Sequence, residues 1–163
     1  MARRVYFAFH YERDVWRAGQ VRNSWVTKPD RETAGFWDAA AWEEVKKKGK
    51  EAVERWIDKQ LEGASVTVVL IGAETNTRDY IKYELEQSWE RGKGILGIYI
   101  HQMKDEDRKI DTKGNNTFGP IFTSPNDDKK YFSERFSTYD WVDDDGYNKL
   151  GDWVEAAAKK AGK

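Results

Sequence analysis

Apolar positions along this chain follow two rhythms, near-continuous short runs and three-to-four-residue spacings, and the two take turns. Residues 3–9 are rich in β-branched and aromatic side chains between polar flanks and predict a first strand. Val15, Ala18, Val21 and Trp25 recur at helical intervals, which predicts a short helix over 14–25. Pro29 breaks that pattern, so 28–35 reads as polar loop. Gly35-Phe-Trp-Asp38 reads as a short second strand or its exit loop. Residues 40–61 then have the spacing of one long amphipathic helix. Trp42, Val45, Gly49, Ala52, Val53, Trp56, Ile57 and Gln60 form its stripe, with most charges outside it.

Residues 65–72 (Ser-Val-Thr-Val-Val-Leu-Ile-Gly) are almost unbroken β-formers, as expected of a central parallel strand buried on both faces. A helix over 77–91 follows, with Thr77 as its N-cap and Gly92 as its stop, and then a second buried strand over 94–101. Residues 102–126 are charged and rich in Gly, Asn and Pro, a long connection. A short strand or two is expected within 131–142. Leu150, Trp153, Val154 and Ala157 mark one face of a closing helix over 147–161. Strands alternating with helices, joined by crossovers of more than a dozen residues, define an α/β fold with a doubly wound, mostly parallel sheet and helices on both faces. Right-handed crossovers are expected of it.

Composition narrows the partners. At 163 residues the chain fits one domain. With no cysteine and two histidines there are no disulfides, no thiol nucleophile and no expected metal site. The basic N-terminus leads into only a short apolar run with no small-residue cleavage site, and no stretch approaches membrane-spanning length. A soluble, cytoplasmic protein is expected. The 28 Lys and Arg against 29 Asp and Glu leave a net charge of −1, so nucleic acid is not the expected partner. Eight Trp are many for a domain of this size, and some are expected to line a pocket or an interface.

The common nucleotide and hydrolase signatures are missing: there is no Gly-x-Gly-x-x-Gly after a strand, no Gly-x4-Gly-Lys-Ser/Thr and no Gly-x-Ser-x-Gly. In open α/β sheets ligands bind beyond the carboxyl ends of the strands. That rule nominates Phe9, His10 and Tyr11, Trp37 and Asp38, Gly72 to Glu74, and His101. On the helix after the central strand, Ile81, Leu85 and Trp89 must face the sheet. Glu84 then lies at the margin of that face, with Tyr80 one turn before it on the same side. Side chains lean toward a helix N-terminus, which aims Glu84 at the crevice. From geometry two readings of Glu84 stand: a solvated carboxylate paired with Lys82, Arg91 or Lys93, or a functional group in the crevice. For His10 a capping role stands beside a ligand contact, and for Trp37 and Trp42 a core role beside a pocket wall.

Several of these segments also carry a resemblance. Val5-Tyr-Phe-Ala-Phe-His-Tyr11, Val21-Arg-Asn-Ser-Trp-Val-Thr27, Gly35-Phe-Trp-Asp38, the run 65–72, Tyr80-Ile-Lys-Tyr-Glu84 and Gly97-Ile-Tyr-Ile-His101 resemble the TIR-like family, nearest to its branch in the bacterial Thoeris anti-phage systems. The likeness covers roughly residues 1–122 in order. It implies a flavodoxin-like fold and an enzyme that cleaves the nicotinamide ribosyl bond of NAD+, with the dinucleotide as substrate and no separate cofactor. The family's catalytic glutamate closes a Trp-x-x-x-Glu pattern, matched here by Tyr80-x-x-x-Glu84 with Tyr in place of Trp.

Loss of nicotinamide leaves an oxocarbenium-like ribose, which a carboxylate stabilises. The leaving group is cationic and departs neutral, so no acid need protonate it. Phe9, Trp37 and Tyr80 are candidates to stack on the substrate's rings, and His10 and Asp38 to bond its ribose or phosphates. The resemblance further implies a cyclic or rearranged ADP-ribose product that activates a separate effector, an unidentified phage-derived activator, and a homo-oligomer as one possible state. Lys113-Gly-Asn-Asn-Thr-Phe-Gly-Pro120 resembles a Lys-Gly-x-Asn-x-Phe stretch of the same family. Rival readings are a non-catalytic TIR-like scaffold that signals by homotypic assembly and a nucleoside deoxyribosyltransferase-like enzyme. A phosphorylatable receiver is disfavoured, because Gly72-Ala-Glu-Thr-Asn offers no Asp after the central strand.

Overall fold

The central strand organises everything else. A computed structural model describes residues 3–29, 31–33, 39–75, 80–115 and 136–163, with 39–42 in backbone only. Every residue of β3 (Val66–Ile71) is buried, as its unbroken apolar run requires. β1 (Arg3–Ala8) flanks it on one side and β4 (Gly94–Tyr99) on the other. The edges are β2 (Arg31–Thr33) beside β1 and β5 (Thr138–Asp140) beside β4. All pairings are parallel and the order is β2-β1-β3-β4-β5, the doubly wound topology whose strand order reverses beside β1.

The pleat sends alternate residues to two separate cores. Val5, Phe7 and Phe9, with Val66, Val68, Leu70, Leu96 and Ile98, meet Ala18, Val21 and Trp25 of α1 (Tyr11–Val26) and Leu150, Trp153, Val154 and Ala158 of α5 (Gly146–Lys160). Tyr6, Ala8, Val69, Ile71 and Ile95 face the other way. They meet Val53, Ile57 and Leu61 of α3 (Lys50–Leu61) and Ile81 and Leu85 of α4 (Ile81–Glu90). Gly92, at φ 69°, ends α4 as expected: Lys93 N–H donates to the Ser88 carbonyl and Gly92 N–H to that of Trp89.

Four sequence expectations change. α1 is longer than 14–25, because the His10 side chain caps it by accepting from the Arg13 N–H at 3.2 Å. Its buried face carries Asp14 and Arg17 where spacing pointed to Val15, which is exposed. The helix over 40–61 is two helices, α2 (Ala39–Lys47) and α3, broken at Gly49, whose φ of 99° suits only glycine. Within the expected polar loop lies β2, a polar edge strand of three residues, tied to α1 by the Trp25 indole N–H donating to the Glu32 carbonyl at 2.9 Å. Residues 35–38, the Trp42 side chain and Thr77 lie outside the described residues. No helix among the described residues is long and apolar enough to cross a membrane.

Close approach of α5 to β4 depends on a missing side chain. A Cβ on Gly94 would stand 2.7 Å from the Ala157 carbonyl oxygen, a backbone atom that cannot rotate away. Gly94→Ala is expected to lower stability by about 1–3 kcal/mol in thermal or urea denaturation. Gly19→Ala, inside α1 with nothing near the added methyl, is the counterpart and should raise it by about 0.5–1 kcal/mol.

Candidate active site at the carboxyl edge of the sheet

Beneath the carboxyl edge, on the α3/α4 side, polar groups form a connected set inside an apolar layer. Tyr6 points to this side from β1, and its hydroxyl donates to Oε2 of Glu84 at 2.6 Å. Both side chains are buried, Glu84 at 0% exposure. One turn on, the Ser88 hydroxyl donates to the Glu84 carbonyl at 2.6 Å and lies 2.7 Å from the Thr67 hydroxyl of β3. Glu84 is therefore not at the margin of the helix face. The face that meets the sheet is centred on Ile81, Glu84, Leu85 and Ser88, and Trp89 is only partly buried. A phenol from β1 makes the difference, because it supplies the donor that a carboxylate needs inside the layer.

α4 is held from outside as well. The Tyr83 hydroxyl donates to Asp58 of α3 at 2.8 Å, and Arg91 donates to the Asp58 carbonyl at 2.9 Å. Burial, followed by the bond to Asp58, pushes the Tyr83 phenol up to about 12, so it stays a donor at any physiological pH. Tyr80 precedes α4 and packs half-buried on the same cluster as Tyr6, and its carbonyl accepts from the Glu84 N–H at 2.9 Å. At the end of β4, Tyr99 borders this cluster, with the Lys113 ammonium 4.6 Å from its ring centroid and His101 edge-on at 6.1 Å.

The α1 side of the edge is ionic. Asp14, at 0% exposure, takes a 3.1 Å bond from Arg17, which also donates to the carbonyls of Met103 and Lys109. Arg13 grips Asp111 through two bonds of 2.9 Å and reaches Glu74 at 2.8 Å. Burial pushes the Asp14 carboxyl above the usual carboxylate range, against the opposing pull of Arg17. The bonds from Arg13 hold Asp111 below that range. Asp14 presses on Gly72 at the end of β3 so closely that a Cβ there would run into its carboxylate. Gly114 is likewise packed on the Gly72 carbonyl.

The expected site residues thus divide. Glu84 and Tyr80 share α4 and its approach. His10 lies at the same edge as the cap of α1. Phe9 is in the opposite core, with its ring 6.3 Å from that of Tyr11, and so does not share a wall with Glu84. Trp37 and Asp38 lie outside the described residues. Tyr6, Tyr99 and Lys113 carry the added geometry. Alternation along β1 already sets Tyr6 apart from Phe7 and Phe9, and a phenol inside such a strand needs a polar partner.

An all-parallel sheet in this order is a doubly wound, flavodoxin-like α/β fold, here with a glutamate buried behind its carboxyl edge. The family model for the Thoeris protein ThsB, TIR-like domain, matches residues 6–105, and the chain belongs to that family. A relative from Bacillus cereus (strain MSX-D12), named "Putative cyclic ADP-D-ribose synthase ThsB1", is 36% identical over 191 aligned positions, which span 94% of this chain and all of the relative.

Two outcomes test this geometry. A double-mutant cycle of Tyr6→Phe and Glu84→Leu, read by urea denaturation, should give a coupling of about 1–3 kcal/mol, the value of a hydrogen bond made inside the core. Asp111→Asn should cost about 1–2 kcal/mol at neutral pH. Because the folded carboxyl is held below its unfolded value, that stabilisation exists above the ordinary value and is lost as pH falls through the folded one. The gap between wild type and Asp111→Asn, followed by denaturation across pH, should therefore close below about pH 4.

Proposed function

We propose that this protein cleaves the nicotinamide ribosyl bond of NAD+ and rejoins the ADP-ribose into a cyclic or rearranged second messenger in anti-phage defence. The observation that carries the reading is the fully buried Glu84 carboxylate, held by Tyr6 behind the carboxyl edge of the sheet. Its support from relatives is membership in the ThsB family and the printed name of the Bacillus cereus protein.

The chemistry suits one carboxylate. The bond from ribose C1 to the nicotinamide nitrogen breaks with its electron pair, and nicotinamide leaves neutral. Positive charge develops on the ribose, and an anion in a low-dielectric site stabilises it far more than water would. The hydrogen bond from Tyr6 fixes one carboxylate oxygen in advance, so little reorganisation is needed when that charge appears. A nucleophile of the same molecule, such as an adenine nitrogen, then bonds to C1 and a proton is released. Exclusion of water favours this closure over hydrolysis. Since Glu84 has no exposed surface, the ribose reaches it only when side chains above it move aside, which fits an enzyme that waits for an activating cue. A phage-derived activator, a separate effector that reads the product, a self-assembled active form and a cytoplasmic reaction belong to the same reading.

Incubating purified protein with NAD+, alone and with phage-infected lysate, and separating the products tests it. Nicotinamide and an ADP-ribose isomer should appear, and Glu84→Gln should cut their formation by roughly 100-fold or more. No nicotinamide under either condition, or full activity in Glu84→Gln, would overturn the reading. A defence phenotype that survives Glu84→Gln would favour a non-catalytic scaffold.

A further inference from the structure

We infer that Lys113 binds the phosphates of the dinucleotide, which rests on the reading of Glu84 as the group that faces the ribose. Its ammonium lies 4.6 Å from the centroid of the Tyr99 ring. Tyr99 ends β4 and packs half-buried against the cluster that holds Tyr6, Ile81 and Leu85, so this cation stands on the sheet face that carries Glu84. Register sets the depth. Tyr99 pairs with Ile71, whereas Tyr6 pairs with Thr67. The ring under Lys113 is therefore four residues, roughly 13 Å, nearer the carboxyl rim than the strand position that holds Glu84. A carboxyl group below and a flexible ammonium nearer the rim follow the order of a ligand that is cationic at its nicotinamide ribose and anionic at its phosphates.

The cation is uncommitted and the loop beneath it is anchored. Arg13, Arg17 and Lys46 at this end of the sheet all spend their charge on carboxylates. Among the described residues Lys113 makes no ion pair, and its contact is the Tyr99 face, which orients an ammonium without neutralising it. On one side of it, Asp111 N–H donates to the His101 carbonyl at 2.7 Å while its carboxylate is gripped by Arg13. On the other side, Gly114 packs directly on the Gly72 carbonyl, a contact that any side chain would prevent. The backbone that carries Lys113 is thus tied to the ends of β3 and β4 and to α1, and only the side chain is left to adapt. The Gly that follows Lys113 is explained by this packing rather than by a turn.

ADP-ribose, which keeps both phosphates and lacks nicotinamide, is the probe, measured by titration calorimetry against wild type, Lys113→Ala and Lys113→Arg. Lys113 is exposed, so the variants should melt with the wild type. Lys113→Ala should weaken ADP-ribose roughly tenfold or more, Lys113→Arg should restore most of it, and the loss should shrink at high salt. Where turnover is measurable, Lys113→Ala should raise KM for NAD+ with little change in kcat, and should leave KM for nicotinamide riboside, which has no phosphate, unchanged. Failure of wild type to bind ADP-ribose, equal binding by Lys113→Ala, or an equal loss for nicotinamide riboside would overturn the assignment. Lysine-dependent binding without NAD+ cleavage would uphold it while sinking the catalytic reading. Cleavage with an unchanged KM in Lys113→Ala would do the reverse.

Discussion

A carboxylate inside an apolar layer must find its donors there, and the bond from Tyr6 to Glu84 meets that demand across the interface between the sheet and α4. It fixes more than one side chain. Tyr6 belongs to β1, so the bond sets the rotation of α4 about its own axis relative to the sheet. Thr67 and Ser88 repeat the tie one turn further along. Apolar contacts alone would tolerate a small roll of α4, since Ile81 and Leu85 can repack, but hydrogen bonds of this length would not. The same bond that orders the helix leaves the acidic group oriented behind the carboxyl edge.

The other side of that edge uses a different device. Asp14 and Arg17 are buried charges on a helix face that is otherwise apolar: Arg17 donates to Asp14 Oδ1 and to the carbonyls of Met103 and Lys109 in the segment after β4. Burying a carboxylate is unfavourable, as the upward push on Asp14 records, and Arg17 offsets only part of it. The contacts from Asp14 to Gly72 and from Gly72 to Gly114 form a column of close approaches with no side chain between them. Through that column α1, the end of β3 and the segment bearing Lys113 become one rigid rim. Rigidity at the rim and a pinned carboxylate below it are what a site needs before any ligand arrives.

Much of the architecture was legible because β3 and β4 are long enough and apolar enough to be nothing else. Their burial on both faces demands covering helices, and the spacing in 77–91 and 147–161 supplies two of them. The elements that were misread are those where a weak local preference was overridden. β2 is short and polar and exists because β1 offers it an edge. Gly49 sits on an apolar stripe yet splits the helix, since stripe counting does not register a positive φ. Val15 gave way to Asp14 and Arg17 because ionic partners from residues 103–111 lie far along the chain.

The sequence by itself determined the parallel α/β sheet, the helix that bears Tyr80 and Glu84, and, through its family pattern, the attention owed to that glutamate. Periodicity put Glu84 one step off the buried face, and nothing local to α4 could correct this. Only the tertiary structure decided that Glu84 is buried and held by Tyr6, that Phe9 turns to the opposite core, and that Lys113 stands over Tyr99. Each of these depends on which residues of distant segments share a level and a face of the sheet, a relation set by strand register rather than by spacing along the chain.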